Sequence, residues 1–122
     1  MAIHYLIDEN VPVALSRAIL RHNQRGLFLI DALKVGDSTA PDLGTLDPAL
    51  LIWLEEQGRL LVSYDKKSLS LHFADHLTAG RHTPGIFLFK RRHSLPFIVE
   101  YLATVTHAST PDEWVDRLVI VD

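Results

Sequence analysis

The sequence predicts an α/β domain with three layers: a mostly parallel central sheet of about five strands with helices on both faces. Short apolar runs alternate along the chain with segments of helical periodicity. The apolar runs are continuous, which is typical of strands buried on both faces of a parallel sheet. We expect right-handed crossovers between these strands. With 122 residues and 48% hydrophobic residues, the chain should form a single domain, residues 1–122.

The chain opens with an apolar, β-prone run at residues 3–7, which predicts the first strand. Apolar residues then recur at helical spacing from residue 13, and Gly26 ends this predicted helix. Pro12 suits the first turn of the helix, and Asn10 is its candidate N-cap. The first strand is therefore expected to lead through a short polar turn into a helix.

A second strand is predicted at the apolar run 27–30. Residues 31–35 either continue this strand or follow its end. Residues 36–46 contain Gly, Ser, Thr, Pro and Asp and predict a loop. The pair Asp47-Pro48 then predicts a helix with Asp47 as its N-cap, and Gly58 marks the end of that helix.

The second half of the chain continues the alternation of strands and helices. The predicted elements are a strand at 60–64, a helix at 69–79, a strand at 86–89, a helix at 95–107 and a strand at 117–121. Polar residues surround the last of these strands, so we expect it at an edge of the sheet.

The composition excludes several classes of function. The chain has no cysteine, so disulfides, thiolate metal sites and cysteine nucleophiles are excluded. Of its seven histidines, His72 and His76 have the i, i+4 spacing of helical zinc ligands, but the glutamate of an H-E-x-x-H motif is absent and there is no cysteine to join them, so we expect no zinc site. No apolar run approaches the roughly 20 residues of a membrane helix, and the N-terminus lacks signal-peptide features, so we expect a cytoplasmic protein without membrane contact. The net charge of −3 gives no global attraction to nucleic acid, although it leaves room for a local basic patch.

Acidic residues follow two of the predicted strands. Asp8 comes after the strand at 3–7, and Asp65 comes after the strand at 60–64. If these strands are neighbours in a parallel sheet, both carboxylates should lie in one crevice at the carboxyl ends of the strands. Clustered carboxylates are costly to keep ionised unless a cation neutralises them, and oxygen ligands of this kind suit Mg²⁺ or Mn²⁺. The alternative interpretation is that each acid simply ends a strand at a turn.

Further acids are candidates for the same site. Asp47 has a free oxygen for a metal even if it caps a helix, although capping alone would also explain it. Glu9 follows Asp8 directly, and either takes a direct part or points away. Asp37 and Asp42 lie in the loop before Asp47 and compete with it for the third acidic position.

Basic residues follow the strands at 60–64 and 86–89, at the same expected edge of the sheet. They are Lys66, Lys67, Lys90, Arg91 and Arg92. Lys and Arg contacts to phosphate provide affinity for nucleic acid without sequence information. The alternative interpretation is that these residues form charged, solvated loops.

The order and spacing of several segments resemble the PIN-like nucleases, in particular a small bacterial PIN-like family, over nearly the whole chain. The segments are Leu6-Ile7-Asp8-Glu9-Asn10, the run from Leu46 to Trp53, the run from Gly58 to Asp65, His72-Phe73-Ala74, Ala79-Gly80, Pro84-Gly85-Ile86-Phe87 and Asp112-Glu113-Trp114.

The resemblance implies a metal-dependent nuclease. Asp8, Asp47 and Asp65 would be the metal ligands, and Glu9 would match an acid that often follows the first ligand. The expected reaction is phosphodiester hydrolysis of RNA with Mg²⁺ or Mn²⁺. Many PIN-like nucleases are toxins of toxin–antitoxin pairs, so an antitoxin-type protein partner and a homodimer are further expectations. A late fourth acid is missing from the pattern, and Asp75 is the candidate for it.

Two other functions remain open from the sequence. One is a catalytically degenerate PIN-like module that binds RNA or a protein partner, which the missing fourth acid and the weak overall charge favour. The other is a receiver-like phosphoacceptor, in which Asp65 would be the phosphorylated residue and Lys90 the accompanying lysine.

Overall fold

The protein is described by a computed structural model that covers residues 2–26 and 28–122. The elements in chain order are β1 (His4–Ile7), α1 (Val13–Gln24), β2 (Asp31–Lys34), α2 (Asp47–Gln57), β3 (Leu60–Tyr64), α3 (Lys67–Thr78), β4 (Ile86–Phe89), α4 (Leu95–Ala108), a 3₁₀ turn (Pro111–Glu113) and β5 (Leu118–Ile120). Across these described ranges, no helix has the length and apolarity needed to cross a membrane.

The five strands form one parallel sheet in the order β2-β1-β3-β4-β5. This arrangement confirms the predicted α/β fold class. The chain leaves β1 towards β2 on one side and returns across β1 to β3 on the other side. The boundary between β1 and β3 is therefore the point where the winding reverses, and in open α/β sheets such a point opens a crevice at the carboxyl ends of the strands.

Each face of the sheet has its own apolar core, because successive side chains of a strand point to opposite faces. On one face, Tyr5, Ile7 and Phe87 pack against α1 and α4. On the other face, Leu6 and Leu61 pack against α2 and α3. The two cores confirm the prediction that helices cover both faces.

The last crossover differs from the other three. The chain moves from β4 to β5 in the same direction as from β3 to β4, but α4 packs on the face of α1, whereas α2 and α3 pack on the opposite face. The four crossovers therefore do not share one hand, and the expectation that all are right-handed is wrong. A connection that includes the 3₁₀ turn follows α4 and brings the chain back to the sheet edge.

The prediction of the second strand at 27–30 is wrong in position. Leu27 lies outside the described residues, Phe28 has a positive φ of 49°, and Leu29 is exposed. The side-chain amide of Asn23 makes both backbone hydrogen bonds of Ile30, each 2.8 Å long, and pairing with β1 begins only at the next residue. As an edge strand, β2 is covered less completely than the central strands and does not need a continuous apolar run.

Two predicted helix caps are also wrong. The residue before α1 is Pro12, with no side-chain cap, so Asn10 does not cap that helix. Asp47 is the first residue of α2 rather than its N-cap, and that end of the helix has no side-chain cap either. The other strands and the loop at 36–46 agree with the predictions, and β5 lies at an edge as expected. The helix α4 begins with a side-chain cap, since Ser94 accepts a hydrogen bond from the Phe97 N–H.

Candidate functional site

Asp8 stands at the carboxyl end of β1 and is 96% buried, since only 4% of its surface is exposed. Its backbone N–H donates to the carbonyl oxygen of Val62 over 2.9 Å, which continues the pairing with β3. One carboxylate oxygen, Oδ1, accepts a 2.8 Å hydrogen bond from the Glu9 N–H. The other, Oδ2, accepts a 2.8 Å hydrogen bond from the Ser63 hydroxyl. These bonds fix the orientation of a charge that could not be buried without partners.

Asp47 brings a second carboxylate to the same place from the first turn of α2. The side chain is only 13% exposed, and it does not cap its own helix. Its Oδ1 instead accepts a hydrogen bond from Lys66 Nζ, over 3.2 Å. N-capping therefore does not account for this acid.

Lys66 joins the two carboxylates. Its Nζ lies 3.4 Å from Asp8 Oδ2 and 3.2 Å from Asp47 Oδ1. Burial by itself would lower the pKa of Lys66, but the charges of Asp8 and Asp47 outweigh burial, so its pKa is raised. The lysine is a cation beside both acids, at the boundary between β1 and β3.

Asp65, the third predicted ligand, does not join this pair. It is exposed, and its side chain makes no hydrogen bond or ion pair with any described residue. The strand register explains this position. Ile7 pairs with Val62, so Asp8 is level with Ser63, and Asp65 lies two residues further on, about 6–7 Å along the strand direction. Among residues 2–26 and 28–122, no group of three or more acidic or histidine side chains is arranged to hold a metal ion.

Ser63 and Asn10 belong to the site, although neither residue is among the predicted site residues. Ser63 is completely buried, and its Oγ, which donates to Asp8, also lies 3.2 Å from Asn10 Oδ1. A signal for Ser63 was present, because it is the one polar residue in the buried run of β3. It lies on the same face of the strand as Leu61, two residues before it.

Glu9 and Lys34 position the chain around Asp8. Glu9 Oε1 accepts a 2.8 Å hydrogen bond from the Gly44 N–H and so attaches the loop that leads to Asp47. Lys34 Nζ donates to the backbone carbonyls of Asp8 and Val11, over 3.1 and 2.9 Å. Burial lowers the pKa of Lys34, and the nearby acids oppose this effect only in part.

The other acidic candidates, Asp37, Asp42 and Asp75, lie apart from the pair formed by Asp8 and Asp47. Asp37 Oδ2 accepts a 2.8 Å hydrogen bond from the Lys34 N–H and closes a turn. Asp42 and Asp75 are exposed, the latter on α3. None of these three carboxylates is in hydrogen-bond or salt-bridge contact with Lys66 in the described part of the chain.

The predicted basic residues follow β3 and β4 and therefore lie at the carboxyl edge of the sheet. Lys67 and Arg92 are exposed. Arg91 stacks over the ring of Tyr64, with 4.7 Å between the guanidinium carbon and the ring centre. Lys90 lies 3.4 Å from Asp122. Lys67, Arg91 and Arg92 have no ion-pair partner among the described residues and remain available to a ligand at the surface.

Comparisons with known protein families, curated proteins and solved structures find no match. The resemblance to PIN-like nucleases stays a prediction, and the geometry of the site has to support any function.

The donor atoms of the site suit a hard divalent cation. Mg²⁺ is usually bound through one or two carboxylates, with waters and substrate phosphates completing its shell. Asp8 and Asp47 offer two carboxylates, and the Lys66 ammonium already acts as a stand-in cation between them. The residues present therefore fit Mg²⁺ or Mn²⁺, provided that Lys66 moves away.

Two surface depressions lie away from this site. One, of about 770 Å³, is lined by residues at the amino ends of β1 and β4, including His4 and Thr83. The other, of about 600 Å³, lies between α1 and α4 and includes Arg25 and Phe28. Neither is lined by Asp8, Asp47 or Lys66, so the candidate chemistry and these depressions are separate features of the molecule.

Proposed function

We propose that the protein is a Mg²⁺- or Mn²⁺-dependent nuclease, most simply a ribonuclease that hydrolyses phosphodiester bonds. The observation that supports this proposal is the convergence of Asp8 and Asp47 on one cation at the carboxyl edge of the sheet. The two acids come from different elements, β1 and α2, and meet where the winding of the sheet reverses. Ligand sites of open α/β sheets are found at such points.

In this proposal Asp8 and Asp47 would hold the metal. When bound, the metal would supply Lewis-acid activation of a water and neutralise charge on the phosphoryl oxygens. The Ser63 hydroxyl and the Glu9 N–H hold the Asp8 carboxylate in a fixed orientation, which reduces the reorganisation that metal binding requires. Asp65 is solvent-facing at the same edge and is the remaining acidic candidate for contact with substrate or its water shell.

A nucleic acid is the proposed substrate, because several cations follow the strands at this edge, and the choice of RNA rests on the resemblance to PIN-like nucleases. Lys67, Arg91 and Arg92 are positioned to contact a phosphate backbone that runs across the ends of β3 and β4. Such contacts position a nucleic acid without reading its sequence. An antitoxin-type partner and a homodimer are further parts of this proposal, and they rest on the resemblance alone.

The decisive test is metal-dependent cleavage of a labelled single-stranded RNA. Asp8→Asn and Asp47→Asn should each reduce the rate about a hundredfold or more, because each removes a carboxylate that holds the metal. Glu56→Gln is the matched control, since Glu56 is an exposed acid of α2 outside the site and its removal should leave the rate unchanged. Asp65→Asn decides whether the third acid takes part. Cleavage by Asp8→Asn at the wild-type rate would refute the proposal.

A second candidate function is a non-catalytic module that binds RNA or a protein partner. It is favoured by the position of Lys66, whose ammonium already offsets one of the two carboxylate charges, and by the separation of Asp65 from the two acids. Calorimetric titration with Mn²⁺ separates the two proposals. Absence of binding at millimolar Mn²⁺ would favour the module.

The phosphoacceptor alternative has less support. It needs a lysine beside Asp65, whereas Lys66 pairs with Asp8 and Asp47, and Lys90 pairs with Asp122. Labelling of Asp65 by acetyl phosphate would restore this alternative.

A further inference from the structure

Lys66 reaches the acidic pair from the short connection between β3 and α3. Its backbone is extended, with φ −143° and ψ 135°, immediately before the first residue of α3. The side chain remains 34% exposed, although its ammonium group lies between two nearly buried carboxylates. A flexible lysine in this position has a path to solvent that does not require any helix or strand to move.

The ammonium and a divalent ion need the same oxygens. Lys66 Nζ is paired with Asp8 Oδ2 and Asp47 Oδ1. A Mg²⁺ or Mn²⁺ ion bound to these carboxylates would sit about 2 Å from its ligand oxygens, and the ammonium would then be within a few ångströms of a double positive charge. Repulsion between like charges at that distance is severe in a partly buried site. The two cations therefore exclude each other from these oxygens.

We infer that Lys66 is an internal counter-cation that holds the acidic pair together without metal and has to leave it when a divalent cation binds. The inference rests on the proposed metal site. Lys66 would then be a positioning residue with two alternating partners. In the metal-free protein its partners are the two carboxylates, and once metal is bound its partner is an anion such as a substrate phosphate. Metal binding would release the ammonium, and the substrate phosphate would capture it. The binding of each would therefore strengthen the binding of the other.

The test is the affinity for Mn²⁺, measured by calorimetry on the full chain with no substrate present. Lys66→Gln removes the charge and keeps most of the side-chain length, so it should bind Mn²⁺ on the order of tenfold more tightly than the wild type. Lys67→Gln is the matched control, because Lys67 is the exposed neighbour and makes no contact with Asp8 or Asp47. Lys66→Arg keeps the charge and should retain the weaker, wild-type affinity.

The outcomes separate this inference from the proposed function. If the wild type binds Mn²⁺ and cleaves RNA, but Lys66→Gln binds Mn²⁺ equally or more weakly, the counter-cation inference is overturned and the nuclease proposal stands. If Lys66→Gln alone binds Mn²⁺, the inference is supported even where the wild type shows no cleavage. If neither the wild type nor Lys66→Gln binds Mn²⁺, the counter-cation inference is overturned, and metal-dependent cleavage of RNA then decides the nuclease proposal.

A measurement on the unmodified protein keeps the inference testable if Lys66→Gln fails to fold. Titration with diamagnetic Mg²⁺, followed by NMR of the lysine side chains, should shift the Nζ and Cε signals of Lys66 in a saturable way. Signals of Lys67 should stay in place. Saturable changes at the Asp8 carboxyl carbon without any change at Lys66 would show that the ammonium does not move, and would overturn the inference.

Discussion

The carboxyl ends and the amino ends of the strands form two opposite edges of the sheet, and each edge contains a cluster of paired charges in different surroundings. At the carboxyl edge, the side chains of Asp8 and Asp47 are 6% and 13% exposed around Lys66. At the amino edge, Asp31 is 48% exposed and pairs with His4 and Arg59, over 2.7 and 3.1 Å. Exposed pairs of this kind contribute little to stability. The buried pair carries a desolvation cost that a well-packed apolar group would avoid, which is why the carboxyl edge is the better place to expect function.

The largest contrast between the edges should appear when one acid is removed from each. Asp8→Ala removes the carboxylate acceptor of the buried Ser63 hydroxyl and one of the two carboxylates beside the Lys66 ammonium, and we expect it to lower the free energy of unfolding by about 2–3 kcal/mol. Asp31→Ala should lower it by less than about 1 kcal/mol, because Asp31 and His4 are solvated and Arg59, although only 17% exposed, keeps its hydrogen bond to the Tyr5 carbonyl. Urea unfolding of the metal-free proteins, followed by circular dichroism, measures both. Equal losses would mean that burial does not distinguish the two edges.

The sequence predicts only those features of the carboxyl edge that depend on residues close together in the chain. Asp8 follows a continuous apolar run, and a run of that kind places its last residues at the end of a buried strand. Lys66 was predicted as a candidate phosphate contact, whereas its actual partners, Asp8 and Asp47, are carboxylates distant in sequence. Which partners it meets depends on strand register and on the path of the loop at 36–46, and neither has a local pattern.

Strand register also decided the position of Asp65. The sequence shows an acid after each of two strands, but it does not show how far one strand extends past the other. In the structure β3 continues beyond the level of Asp8, so Ser63 occupies the position where an acid was expected. The error at residues 27–30 has a similar origin, because an apolar run cannot reveal that Asn23 satisfies the backbone of Ile30 before the sheet begins.

Buried hydroxyl groups offer a sharper comparison between the edges. Ser63 Oγ donates to a carboxylate, whereas Thr83 Oγ1, near the amino edge, is buried without a hydrogen-bond partner among the described residues. Ser63→Ala should therefore destabilise the protein by about 1–2 kcal/mol, since hydrogen bonds to charged groups are the stronger ones. Thr83→Val has a similar shape and removes an unsatisfied group, so it should be neutral or stabilising, by up to about 1 kcal/mol. Both values come from urea unfolding. A loss of stability in Thr83→Val comparable to that of Ser63→Ala would show that the threonine hydroxyl has a partner such as an internal water.

The smallest expected effect is a pH dependence of the His82–Asp116 pair at the amino edge. A hydrogen bond and the charge of Asp116 raise the pKa of His82 above its ordinary value of 6.5. Because the folded state holds this proton more tightly, the pair adds stability that is fully present below pH 6.5 and is lost as the pH rises through the folded pKa.

Unfolding midpoints at about pH 5.5 and about pH 8.5 test this effect through the difference between wild type and His82→Gln. The wild type should be more stable than His82→Gln at the lower pH, and the two should converge at the higher pH. Lys66→Gln should instead be less stable than the wild type by the same amount at both pH values. No described histidine contacts Asp8 or Asp47, and the raised pKa of Lys66 lies above this pH range. A deficit of His82→Gln that persists unchanged at the higher pH would assign its effect to lost packing, and the two edges would then not differ in their response to protons.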